Sequence, residues 1–186
     1  MNTQHHNNRH TNRHHNRHSP RLPEYDYSQN GAYFVTICAH NRKLFFEDEH
    51  IKKIIEVEWL NTSRIRRDVI IDEFVVMPNH LHGIIIINAD FGDVCKKGVC
   101  NTPLRPQFRS PSKTLGSIIR GFKAATTSKI NKIHHTSGLP VWQRNYYEHV
   151  IRNDNDLYDA RKYINENPLK WALDKNNPTN FEQEEV

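Results

Sequence analysis

Val69-Ile70-Ile71-Asp72-Glu73-Phe74-Val75-Val76-Met77, then Pro78-Asn79, then His80-Leu81-His82-Gly83-Ile84-Ile85-Ile86-Ile87-Asn88, reads as two strands folded about a two-residue turn. Pro fixes φ and Asn accepts the corner that follows it. Ile84 to Ile87 is an unbroken β-branched run, the mark of a buried strand. Residues i and i+2 of a strand point to the same face. His80 and His82 are therefore expected side by side on a rigid element, where two imidazoles could grip one divalent metal ion. The spacing alone proves little in a chain with 13 His among 186 residues, so the surroundings must decide.

Working outward, Tyr33-Phe34-Val35-Thr36-Ile37-Cys38 is rich in aromatic and β-branched residues and predicts a first strand. Residues 47–61 have acids early and Ile51, Ile54, Ile55, Val57 and Leu60 near helical spacing. Residues 89–111 lack periodicity and read as a loop. Leu115, Ile118, Ile119, Phe122 and Ile130 then trace an apolar helical stripe, with Arg120 and Lys123 off it. Tyr146 to Ile151 predicts a fourth strand. A last helix is expected over about 155–167, capped by Asn153 or Asp154 and ended by Pro168. The order βαββαβ plus one helix predicts an α+β fold. Its form is a ferredoxin-like or RRM-like antiparallel sheet with helices on one face and a further C-terminal helix.

That last helix adds chemistry. Tyr163 and Asn167 are four apart and share one face, while Leu157, Ala160 and Ile164 form a different stripe that can pack on the sheet. A phenol attacks well only when its electrophile is polarised, as by a metal. An Asn carbonyl oxygen suits Mg2+ or Mn2+ beside two imidazoles.

Composition bounds the rest. The chain is long enough for one core, with 36% hydrophobic and 25% charged residues, and no apolar run approaches a membrane span. The N-terminus shows no apolar stretch, so a secretory signal is not expected. Three cysteines (Cys38, Cys95, Cys100) without framework spacing suit a reducing cytoplasm, and Cys95 with Cys100 lacks a second ligand pair for zinc.

The net charge of +5 is unevenly spread. Residues 1–20 form a basic His/Asn/Arg-rich arm, apolar-free from His5 to His18 and expected to be disordered, and residues 174–186 form an acidic tail. Residues 94–133 carry nine Lys or Arg and no acid. Lys96, Lys97, Arg105, Arg109, Lys113, Arg120 and Lys123 of this segment are the candidate phosphate track for a nucleic acid.

Met77-Pro78-Asn79-His80-Leu81-His82-Gly83 resembles the histidine–hydrophobic–histidine motif of the HUH single-tyrosine transposases. Tyr25-Asp26-Tyr27, the stretch from Val141-Trp142-Gln143-Arg144 through Arg152, and Tyr163-Ile164-x-x-Asn167-Pro168 narrow the resemblance. They are similar to the REP-associated tyrosine transposases, an insertion-sequence-200-like group, over residues 21–173. The resemblance implies that His80, His82 and Asn167 bind Mg2+ or Mn2+, which polarises the scissile phosphate of single-stranded DNA. It also implies that Tyr163 attacks phosphorus, leaving a 5′-phosphotyrosine link and a free 3′-OH that allows strand transfer. Expected partners are DNA hairpins such as REP-like palindromes, in a cytoplasmic, nucleoid-associated setting, with the protein a monomer or homodimer.

Tyr146, Tyr147 and Tyr158 compete with Tyr163, but only Tyr163 has Asn four residues on and matches the family motif. Tyr146 and Tyr147 are expected to pack or to stack on a base, His149 to be structural, and Trp142 and Trp171 to anchor the fold. The main alternative is a domesticated, non-cleaving hairpin-binding protein of the same fold; intact His80, His82 and Tyr163 argue against it. An unrelated RRM-like RNA binder would need exposed aromatics on its central strands, whereas His80–Ile87 is aliphatic. Relaxases usually present three histidines, which this strand does not.

Overall fold

The hairpin lies at the heart of a four-stranded antiparallel sheet of order β2-β3-β1-β4. The strands are β1 Gly31–Cys38, β2 Val69–Met77, β3 His80–Ile87 and β4 Tyr147–Ile151. The structure is a computed structural model, and it describes residues 25–88 and 113–174 together with Asn177 and Asn180. Helix α1 (Glu49–Ile65) carries the chain from β1 to β2, α2 (Leu115–Ile133) precedes β4, and α3 (Asp154–Lys170) follows it. This is the expected βαββαβ order plus one helix. The basic arm, the Cys95/Cys100 pair and Glu182, Glu184 and Glu185 of the acidic tail lie outside the described residues.

Strand alternation divides the sheet into two unlike faces. Tyr33, Val35 and Ile37 of β1 and Leu81, Ile85 and Ile87 of β3 point to one side. There Ile51, Ile55 and Trp59 of α1 and the Leu115–Ile130 stripe of α2 cover them, forming the main core. The opposite face carries Phe34, Ile84 and Ile151, on which α3 lays Leu157, Ala160 and Ile164. This second, smaller core leaves part of the sheet uncovered beside α3.

Each helix starts where a side chain satisfies its free N–H groups. Asp48 accepts from the N–H of His50 and of Ile51, Thr114 from that of Ser117, and Asn153 from that of Asp156. The end of α3 departs from expectation, because the helix runs through Pro168 to Lys170. Proline cannot donate to the Ile164 carbonyl, so one helical bond is lost. The chain tightens instead: the Trp171 N–H donates to the Pro168 carbonyl, and a 3-10 turn, Trp171–Leu173, continues the direction. A β-irregularity between Ile71 and Phe74 interrupts β2, and Asp72 within it takes the Arg161 guanidinium of α3 at 2.8 and 2.9 Å. That ion pair ties the helix to the sheet edge.

Gly83 is required by a close approach. A Cβ there would stand 2.6 Å from Cζ2 and 3.0 Å from Cε2 of the fully buried Trp59. Gly83→Ala must displace that indole or the strand, and overpacking of this kind costs about 1–3 kcal/mol. A lowered urea midpoint with an unchanged m-value is the expected reading.

Candidate active site

His80 and His82 emerge from the tight turn on the face covered by α3, and both are almost wholly buried. Their Nε2 atoms converge to 2.9 Å. The outer nitrogen of each ring is held separately. His80 Nδ1 lies 2.7 Å from Asn79 Oδ1, and Asn79 Nδ2 donates to the Arg42 carbonyl at 3.2 Å. His82 Nδ1 lies 2.8 Å from the hydroxyl of Thr36, its register partner on β1. Burial pushes the His80 pKa down to about 4, with Arg42 adding to the shift and Asp174 opposing it. Burial, and then the neighbouring His80, push His82 down to about 3. Both rings are neutral at pH 7, the form in which imidazole binds metal.

Helix α3 brings its own residues over this pair. The Tyr163 ring stands edge-on to His82 at 5.2 Å and to Phe34 at 5.8 Å, while Phe34 stacks on His82 at 5.4 Å. Two turns further on, Trp171 meets His80 at 5.9 Å. Asn167 lies one turn from each along α3, on the same face of the helix, and its side chain is buried. Its Oδ1 is a buried acceptor without a hydrogen bond. Its side chain also hydrogen-bonds Tyr163, which lowers the phenol pKa, but burial outweighs this and raises it. Tyr163 is 45% exposed and remains protonated near neutrality.

The donor set fits a hard divalent cation: two neutral imidazoles with converging Nε2 atoms and one orphaned amide oxygen. Among the described residues no three His, Cys, Asp or Glu gather as a metal site, so a third ligand here has to come from another residue type, such as Asn167.

Beside Tyr163 the uncovered sheet forms a groove of about 560 Å³, floored by Phe34, Thr36 and Cys38 and edged by Arg42, Tyr147 and His149. Tyr147, Thr36 and His82 form one row across β4, β1 and β3. His149 Nε2 donates to the Asp156 carboxylate at 3.0 and 3.1 Å, and Asp156 also accepts the Arg152 N–H. These bonds hold the Asp156 carboxyl below its usual range and moor β4 to the first turn of α3.

The basic candidates are not gathered here. Lys96, Lys97, Arg105 and Arg109 lie outside the described residues. Lys113 is exposed just before α2, and Arg120 is exposed on that helix, which covers the sheet face opposite the histidines. Lys123 donates to the carbonyls of Gln143, Arg144 and Asn145, and burial pushes its ammonium down to about 8. It fastens the segment leading into β4.

No protein-family model matches the chain. An uncharacterized protein of Haemophilus influenzae is 40% identical over 171 residues, 84% of this chain and 91% of the relative. A second H. influenzae protein, provisionally assigned as a REP-associated tyrosine transposase, is 24% identical over 145 residues, 78% of this chain and 74% of that one. The solved structure of a REP-associated tyrosine transposase bound to a REP hairpin shares the fold. Its TM-score is 0.54 at 24% identity, over 83% of this chain and 77% of that one. In sequence the chain is distantly similar to one REP-associated tyrosine transposase, and it shares the fold of another.

The stretches that carried the resemblance have physical roles in this fold. Tyr25 and Tyr27 cluster with Tyr33, and the Tyr27 carbonyl accepts the first N–H of α2. Trp142 is buried against Phe46 and Phe122, its indole N–H donating to Thr126 at 2.7 Å, so it anchors the fold. Trp171 anchors as well, but against a site histidine. Thr36, Phe34 and Arg42 went unsingled in the sequence. Only Thr36 left a signal, as a polar residue on the otherwise hydrophobic first strand. No described helix is long and apolar enough to cross a membrane.

Proposed function

We propose that this protein is a metal-dependent single-strand DNA endonuclease and strand transferase acting at DNA hairpins through a 5′-phosphotyrosine intermediate. One observation supports this above others: Tyr163 lies against His82, whose Nε2 converges on that of His80, while Asn167, one helical turn from Tyr163, keeps a buried Oδ1 without a hydrogen bond. His80, His82 and Asn167 would hold Mg2+ or Mn2+, which when bound polarises a phosphate and stabilises its developing charge. Tyr163 Oη attacks phosphorus and loses its proton to solvent. The new P–O–Tyr bond replaces the P–O3′ bond, whose oxygen leaves as a protonated 3′-OH. Attack by another 3′-OH reverses the step and joins strands without ATP, because the phosphoester bond is conserved. The groove beside Tyr163, with Arg42 and Tyr147 on its rim, gives the strand a route past the nucleophile.

The test is incubation of the full chain with hairpin-bearing single-stranded DNA, with Mg2+ or Mn2+ and with EDTA. The expected result is an SDS-resistant protein–DNA adduct that forms with metal and is absent in EDTA. Hairpin binding with no adduct across a broad hairpin library would assign the non-cleaving role instead.

A further inference from the structure

We propose that Asn79 and Thr36 are the positioning residues of the histidine pair, Asn79 fixing one tautomer of His80 and Thr36 accommodating both tautomers of His82. This rests on the reading that the pair holds a divalent cation. The argument starts from the amide of Asn79. Its Nδ2 donates to the Arg42 carbonyl, which cannot donate in return, so the oxygen of the amide is the atom turned to His80. A carbonyl oxygen only accepts. Nδ1 of His80 therefore carries the proton, and Nε2 of the neutral ring presents its lone pair.

The remaining contacts then follow a single direction. The 2.9 Å approach of the two Nε2 atoms needs one proton between them, and His80 has none to give there. His82 supplies it from Nε2, which leaves its Nδ1 to accept from the Thr36 hydroxyl at 2.8 Å.

A cation gripped by both rings needs both Nε2 lone pairs. His80 already offers its own. His82 must exchange its proton from Nε2 to Nδ1 through solvent, with no net gain or loss of protons. A hydroxyl both donates and accepts, so Thr36 turns about its C–O bond and receives the new Nδ1–H. A carbonyl in the place of Thr36 would satisfy only the loaded form, and a methyl would satisfy neither. Partners on the outer nitrogen of a ligating histidine commonly change metal affinity 10–100-fold when removed.

The experiment uses the full chain without DNA. Long-range 1H–15N spectra of the metal-free protein should show His80 protonated at Nδ1 and His82 at Nε2, and added Zn2+, a diamagnetic probe, should move the His82 proton to Nδ1. Mn2+ titrations followed by electron paramagnetic resonance should show Thr36→Val weakened about 10–100-fold. Thr36→Ser, which keeps a hydroxyl, should stay within a few-fold of wild type. Urea melts identify any variant that fails to fold, and the wild-type spectra decide the question without a variant. His80 protonated at Nε2, or a folded Thr36→Val with wild-type Mn2+ affinity, overturns the proposal alone. A wild-type chain that binds no Mn2+ overturns the metal reading as well.

Discussion

Tyr163→Phe should abolish the covalent DNA adduct while leaving the fold and Mn2+ binding in place. The substitution removes one oxygen. The ring contacts with His82 and Phe34 survive, and the side chain is already 45% exposed, so no cavity forms. What would be lost is the proposed nucleophile, and removal of a catalytic nucleophile lowers turnover by about 10⁴-fold or more. The rival tyrosines stand in worse places. Tyr147 lines the same groove but is separated from His82 by the whole of β1, a gap of about 10 Å at ordinary strand spacing. Tyr158 precedes Tyr163 by five residues on α3, off its face, and is 66% exposed. Tyr147→Phe should therefore keep its adduct, with any deficit confined to DNA affinity. Denaturing gels, with mass spectrometry of the DNA-linked peptide, make the comparison. An adduct of wild-type yield in Tyr163→Phe would end the assignment of the nucleophile.

The legible part of this site was the part written in local periodicity. Alternation along one strand places His80 and His82 on one face, and helical spacing places Tyr163 with Asn167, apart from the Leu157–Ile164 stripe. The structure keeps each of these relations. Thr36 beside His82 is different in kind. It depends on the register between strands whose paired residues are 46 positions apart, and nothing in either strand alone sets that register. The same holds for Phe34 on His82 and for Trp171 on His80, which also needed α3 to pass through Pro168. Asn79 was recognisable as a turn residue, but its bond to His80 follows from the Arg42 carbonyl, brought in by a different loop. At Lys123 the charge serves the fold, for a physical reason. A lysine stem is long enough to lay its ammonium on carbonyls from another segment, and Lys123 does so at Gln143–Asn145.

Lowering the pH from 7.5 to 5 should destabilise the metal-free protein, and His80 and His82 should account for most of the loss. Unfolded imidazoles take up protons near pH 6.5, whereas the folded rings hold out to about 4 and about 3. Below pH 6.5 the unfolded chain therefore binds protons that the folded chain refuses. Stability is complete above that point and declines as the pH falls toward 4. The slope is at most about 1.4 kcal/mol per pH unit for each ring. Over 1.5 units two rings give an upper limit of roughly 4 kcal/mol, a large share of the 5–15 kcal/mol typical of a domain. Their 2.9 Å contact makes the titration a property of the pair, so the loss should not divide evenly between single variants. Asp48 and Asp156 are held below the usual carboxylate range and act at lower pH, outside this window. Saturating Mn2+ binds only the unprotonated pair and should flatten the decline near neutrality, at the cost of a steeper fall where protons displace it. Urea unfolding at pH 7.5, 6.5, 5.8 and 5, for wild type and for His80→Gln with His82→Gln, measures the effect. The double variant should lose most of the slope; an equal slope in both would place the acid sensitivity elsewhere in the chain and remove the case for a neutral, metal-ready pair.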